Sequence, residues 1–220
     1  ADATGSAGSL AATTFGDVRG WVTGGFHRPG SGMLVSLAGQ SEEGWRQNAD
    51  YLLGNGVLRG WRSVGAGRLE GGLYLYGSKW TSPGFVPVDR YNQGELEAAT
   101  DTTDGGDGQR YIGTLRYGLP LGPKTTLDAQ LSGQFAHSTV YLTLPEDNIL
   151  RQTAEGDDRE ALGFQALVNR ATDDGEFSLG ASGRADWTSY TLDETVQRES
   201  VSAEQADEGR YQAIGLFARW

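Results

Sequence analysis

The chain alternates apolar and polar residues with a period of two. From Thr126 to Tyr141 the odd positions read Leu127, Ala129, Leu131, Gly133, Phe135, His137, Thr139 and Tyr141. The even positions read Asp128, Gln130, Ser132, Gln134, Ala136 and Ser138. Such a period puts one set on each side of an extended strand. It returns from Glu176 to Trp187, where Phe177, Leu179, Ala181, Gly183, Ala185 and Trp187 oppose Glu176, Ser178, Ser182, Arg184 and Asp186. Weaker strands are readable over 17–26, 33–42, 55–63, 69–78, 110–118, 159–171 and 211–220, which makes nine.

The connections between these strands alternate in length. Short turns rich in Gly, Pro and Asp fall at 27–32, 64–67, 119–124 and 172–175. Long polar connections fall at 43–54, 79–109, 142–158 and 188–210. Short turns at one end and long loops at the other are the habit of an up-and-down outer-membrane barrel. The 126–141 strand is also far longer than the ~5–6 residues usual in soluble domains, whereas a tilted crossing of a bilayer takes ~9–11. The fold class expected is all-β, an antiparallel meander forming part of a large transmembrane barrel. Aromatic residues near strand ends, Trp21, Tyr117, Tyr141, Trp187 and Trp220, are candidates for rings at the membrane interfaces.

Composition supports this class. The 220 residues include 34 Gly, about twice the average share, and no Cys, which excludes a disulfide scaffold and thiolate metal sites. The net charge is −11, without a Lys/Arg cluster, so nucleic acid is not an expected partner. No run approaches ~18 apolar residues, so no transmembrane helix is expected. Mean hydropathy is −0.46, but alternating lipid-facing and lumen-facing residues average out in a barrel.

Candidate chemistry is sparse. Neither His27 nor His137 sits in a recognisable Ser/His/Asp arrangement, and no Gly-x-Ser-x-Gly elbow occurs, so no catalysis and no cofactor are expected. The glycines around 54–60 and 65–71 do not open a helix and read as turn and strand glycines. Asp101, Asp104 and Asp107 form an acidic loop whose carboxylates suit Ca²⁺, although their spacing matches no EF-hand; solvation is the simpler reading. Arg46, Trp80, Arg90 and Tyr91 lie in expected external loops and are candidates for contact with a ligand. Asp128, Gln130, Gln134, Arg184 and Asp186 belong to the expected lumen face.

Three segments in order resemble the early barrel of TonB-dependent receptors. Thr14-Phe15-Gly16-Asp17-Val18-Arg19 resembles the opening of an early strand in that family. Gly44-Trp45-Arg46-Gln47-Asn48-Ala49-Asp50-Tyr51 resembles a stretch one hairpin later. Leu73 to Pro87, with Trp80-Thr81-Ser82-Pro83-Gly84, resembles the strand that runs into a Trp-x-x-Pro-Gly-x-x-Pro turn. The resemblance covers about 13–118; the remainder agrees by pattern only.

The resemblance implies active uptake of a scarce nutrient, such as a siderophore–iron complex or cobalamin, across the bacterial outer membrane. Its implied partners are outer-membrane lipid and lipopolysaccharide, a plug domain, the remaining strands and the TonB complex. It implies residues 1–16 as the tail of an external loop, so that the chain starts at a barrel's second strand. A passive porin and a soluble all-β ligand-binding module share parts of the pattern. One-sided long loops and long strands count against the soluble module.

Overall fold

The computed structural model describes residues 3–14, 16–86, 88–146 and 149–220. Ten antiparallel strands form one sheet in strict sequence order. They are β1 (Ala3–Ala12), β2 (Val18–Arg28), β3 (Ser31–Glu42), β4 (Tyr51–Val64), β5 (Gly67–Thr81), β6 (Gly105–Gly122), β7 (Thr125–Glu146), β8 (Ile149–Thr172), β9 (Gly175–Val196) and β10 (Glu199–Arg219). A five-residue helix, α1 (Val88–Asn92), lies between β5 and β6. Among the described residues β1 and β10 are the two open edges.

The meander and its alternating faces agree with expectation, and three details correct it. Residues 3–12 are not a loop tail: they pair along β2, from Ala3 opposite His27 to Ala12 opposite Val18. A strand therefore precedes β2, and the strands among the described residues number ten rather than nine. Its small residues leave no apolar face to read. The connections expected at 142–158 and 188–210 are ladder instead. β7 pairs with β8 up to Glu146 opposite Ile149, and β9 pairs with β10 up to Val196 opposite Glu199. There the strands carry Glu, Asp, Thr and Ser on both sides, so the period-two signal fades while the backbone pairing continues.

Cross-strand partners share a face, which carries the alternation across the sheet. One row runs through Val35, Leu58, Leu73, Gly113, Gly133, Leu162 and Ala185. This apolar face exposes Leu131 at 59%, Leu162 at 61% and Ile214 at 83%. It bears Arg28, Arg62 and Arg170 beside the short turns, then no charge until Lys79, Asp107, Glu160 and Arg210, past which Asp158, Glu208 and Asp193 follow. On β8, Arg170 and Glu160 bracket Val168, Ala166, Phe164 and Leu162. Ten residues at ~3.4 Å span ~34 Å of strand. At a ~45° tilt that is ~24 Å of height, the thickness of the apolar band of an outer-membrane barrel.

β8 has 24 residues, about 80 Å of extended chain. With β7, β9 and β10 it rises well past the charged rim. The connections opposite that rim are two-residue turns, at 29–30, 65–66, 123–124 and 173–174.

Candidate functional site

The opposite face of the sheet is polar throughout its height. Arg116 and Asp128 meet across β6 and β7, with Asp128 Oδ1 accepting from Nε at 3.1 Å and from Nη2 at 2.7 Å. Arg184 donates to both oxygens of Asp186, two residues on, at 2.6 and 2.7 Å. Arg110 donates to Gln134 at 3.0 Å. The residues expected on the lumen side, Asp128, Gln130, Gln134, Arg184 and Asp186, thus share this face. Near the short-turn end it holds a concavity of about 470 Å³ whose lining includes Arg59, Trp61, Arg68, Glu70, Arg116 and Gln130. The Arg68 guanidinium lies 4.1 Å from the Trp61 ring centre and Arg68 Nε is 2.7 Å from Glu70. Arginine forks beside a flat aromatic surface suit planar, anionic or carbonyl-rich groups.

At the opposite end, two segments singled out in the sequence fold onto each other. Arg46 donates to the carbonyls of Gly84 (2.9 Å), Pro83 (3.3 Å) and Ala98 (2.9 Å). Asn48, at φ 59°, donates through Nδ2 to the carbonyls of Ser82, Asp101 and Asp104 at 2.7, 3.2 and 3.0 Å. Arg46, a candidate for ligand contact, braces this loop: both of its terminal nitrogens are bonded to backbone. Loops leave carbonyls without ladder partners, and these side chains satisfy them. Trp80 is half-buried, its ring set against Gly106. Arg90 and Tyr91 are exposed on α1, with Arg90 3.9 Å from Glu95.

The acidic trio does not assemble. Asp104 is fully buried, and its carboxylate accepts from the Thr143 amide (3.0 Å), Thr143 Oγ1 (2.7 Å) and Gln152 Nε2 (3.0 Å). Asp101 accepts from the amide and hydroxyl of Thr103 at 2.7 and 2.6 Å. Asp107 belongs to β6, opposite Lys79 and Thr139. Among the described residues no three His, Cys, Asp or Glu side chains are grouped to hold a metal, which corrects the Asp101, Asp104 and Asp107 candidate. Sequence reasoning missed the cluster around Asp104. Thr143, Gln152 and Thr195, all buried, come from three strands and share no motif.

The candidate interface aromatics divide. Tyr117, Trp187 and Trp220 belong to the apolar face. Tyr117 donates to the Val64 carbonyl at 3.1 Å, and the Trp220 ring lies 6.4 Å from Phe177. Trp21 lies on the polar face, in the row of Ala38, Asn55 and Tyr76. Tyr141 lies three rows beyond Phe135, where it packs under the Arg198 guanidinium at 4.8 Å. His137, one row beyond Phe135, meets Asp158 at 2.7 Å through Nδ1.

No protein-family model and no curated protein sequence matches the chain. Solved structures do. The chain is similar to the ferric citrate transporter FecA in its unliganded form, with TM-score 0.68 and 13% identity over 98% of this chain and 35% of that one. It is similar to the siderophore receptor PiuA from Acinetobacter baumannii, with TM-score 0.67 and 15% identity over 97% of this chain and 37% of that one. It is also similar to the ferric-catecholate import receptor Fiu from E. coli K12 in its open form, with TM-score 0.60 and 13% identity over 99% of this chain and 41% of that one. The chain spans little more than a third of the length of the first two structures. Its fold is that of a sector of the large β-barrel of TonB-dependent siderophore receptors.

Proposed function

We propose that this chain is a ten-strand sector of a bacterial outer-membrane receptor that takes up a scarce nutrient, such as a siderophore–iron complex or cobalamin, with energy supplied through TonB. The observation that carries the reading is the distribution of charge. The apolar face bears charges only beyond a ~24 Å band, while the opposite face bears them throughout. In this reading the apolar face meets lipid, with Tyr117, Trp187 and Trp220 at the headgroup level and lipopolysaccharide beyond Trp187. The polar face looks into the lumen, towards a plug domain and the remaining strands. Trp80, Arg90 and Tyr91 are the residues proposed to meet the incoming ligand. The receptor acts by binding and translocation rather than catalysis.

The test is uptake by the host of labelled iron chelates and labelled cobalamin, with and without disruption of the gene and with and without a protonophore. Loss of uptake of at least one nutrient in the disrupted strain, and in the parent strain on adding protonophore, is expected. Gene-dependent uptake that survives the protonophore overturns the active-transport reading in favour of a passive pore.

A further inference from the structure

The β9–β10 tip is strained. Gln197 has φ 52° and Arg198 φ 71°. A two-residue hairpin turn of the primed type needs positive φ at both central residues and favours Asn-Gly or Asp-Gly. Here both positions carry long side chains. The ladder just beyond the tip is also weakened, with register shifts at Ser200/Ser202 and Ala203/Gln205. Bulges of this kind leave backbone groups unpaired and bend the strand.

Contacts made by Arg198 offset this. Its backbone amide donates to Gln152 Oε1 at 3.0 Å, and its Nε donates to the Thr103 carbonyl at 2.6 Å. Nη2 stands 3.5 Å from the Asp104 carbonyl, and the guanidinium covers Tyr141. Gln152 is bonded on both sides: its Oε1 accepts from Thr195 at 3.1 Å, and its Nε2 donates to Thr103 Oγ1 at 2.8 Å and to Asp104. Thr143, Gln152 and Thr195 are direct cross-strand partners on β7, β8 and β9. The end of the β5–β6 connection, 101–104, is thereby fastened to that row and crossed by the Arg198 side chain.

We propose that Arg198 is a strap that couples the β9–β10 tip to the β5–β6 connection, so that the two segments open together as one unit. The strap is independent of the nutrient and of TonB. A contact made with either segment is transmitted to the other through Arg198, Thr103 and Asp104. Release of the strap also lets residues 197 and 198 leave their left-handed conformation, so opening is self-reinforcing.

Hydrogen–deuterium exchange on the full-length protein in lipid nanodiscs tests this, on the native protein and on two variants. In the native protein, amides of 98–104 and of 195–199 are expected to share one opening equilibrium, falling in parallel with added denaturant. In Arg198→Ala both segments exchange at least about tenfold faster, as loss of charge-assisted hydrogen bonds implies, while β2–β5 are unchanged. In Arg198→Gly the tip keeps its turn, because Gly accepts positive φ, but 98–104 still speeds up. Separate opening equilibria in the native protein, or acceleration confined to 195–199 in either variant, overturns the proposal. Should a variant fail to assemble, the native measurement alone decides.

Discussion

Replacing Asp104 by Ala removes the acceptor for three hydrogen bonds at the centre of the outer cluster. The site is closed to solvent: Asp104 is 0% exposed, Thr143 3% and Gln152 5%. Hydrogen bonds to a charged acceptor contribute about 1.5–3 kcal/mol each, and a buried donor left alone costs about 1–3 kcal/mol. The three are not additive, because Thr143 Oγ1 can turn towards Asp101, 3.4 Å away, and Gln152 keeps Thr103. The Thr143 amide has no such alternative, since it points at Asp104. A cost of about 3–5 kcal/mol follows, equal to roughly a hundredfold to several-thousandfold rise in local opening. Asp104→Asn should cost about 2 kcal/mol, because the amide keeps one acceptor oxygen but turns its NH₂ towards donors. The assay is exchange at the Thr143 amide and at Thr100, whose amide bonds to the Pro83 carbonyl. If Thr143 exchange in Asp104→Ala stays within about twofold of the native rate, the carboxylate does not hold the cluster and the reasoning fails.

Other outcomes follow from single contacts. Gly105 has φ 139°, and a Cβ there would lie 2.7 Å from Thr81 Cα and collide with the Trp80 carbonyl. Gly105→Ala should destabilise by about 3 kcal/mol or more, read as a lower thermal midpoint of the assembled protein. Leu162→Arg on the apolar face should cost about 2–4 kcal/mol if it meets the bilayer interior, whereas Gln165→Arg on the polar face should fall within about 0.5 kcal/mol; chemical unfolding from lipid vesicles separates them. Arg116→Ala should change stability by no more than about 1 kcal/mol, because the guanidinium bonded to Asp128 is 52% exposed. Unfolding in the same vesicles checks it.

The faces of the sheet were legible where a face meets an environment. Leu127 to Phe135 and Phe177 to Trp187 alternate because one side is apolar and the other is not. Beyond His137 and Trp187 both sides are polar, so the sequence reads as loop although ladder pairing persists to Glu146 and Val196. β1 was hidden for the opposite reason, since its Gly, Ala, Ser and Thr, with Leu10 alone among them, give neither face a character. The side on which Trp21 lies was not legible, because nearness to a strand end says nothing about side; its pairing with Ala38 places it. The stretch with Arg46 and Asn48 stood out in the sequence, but nothing there showed that its side chains hold carbonyls of residues 82–104. The Asp104 cluster joins residues 39 to 95 positions apart, and no local pattern marks such a set.

The central claim is that one face of this sheet meets lipid and the other meets water. Nitroxide labels placed singly along β7 and β8 of the full-length protein in bilayers test it most directly. Positions 131 and 162, on the apolar face, should be open to dissolved oxygen and shielded from a water-soluble nickel chelate. Positions 130 and 165, on the polar face, should show the reverse preference. Equal access of the nickel chelate to both sets, or the opposite alternation, would contradict the account.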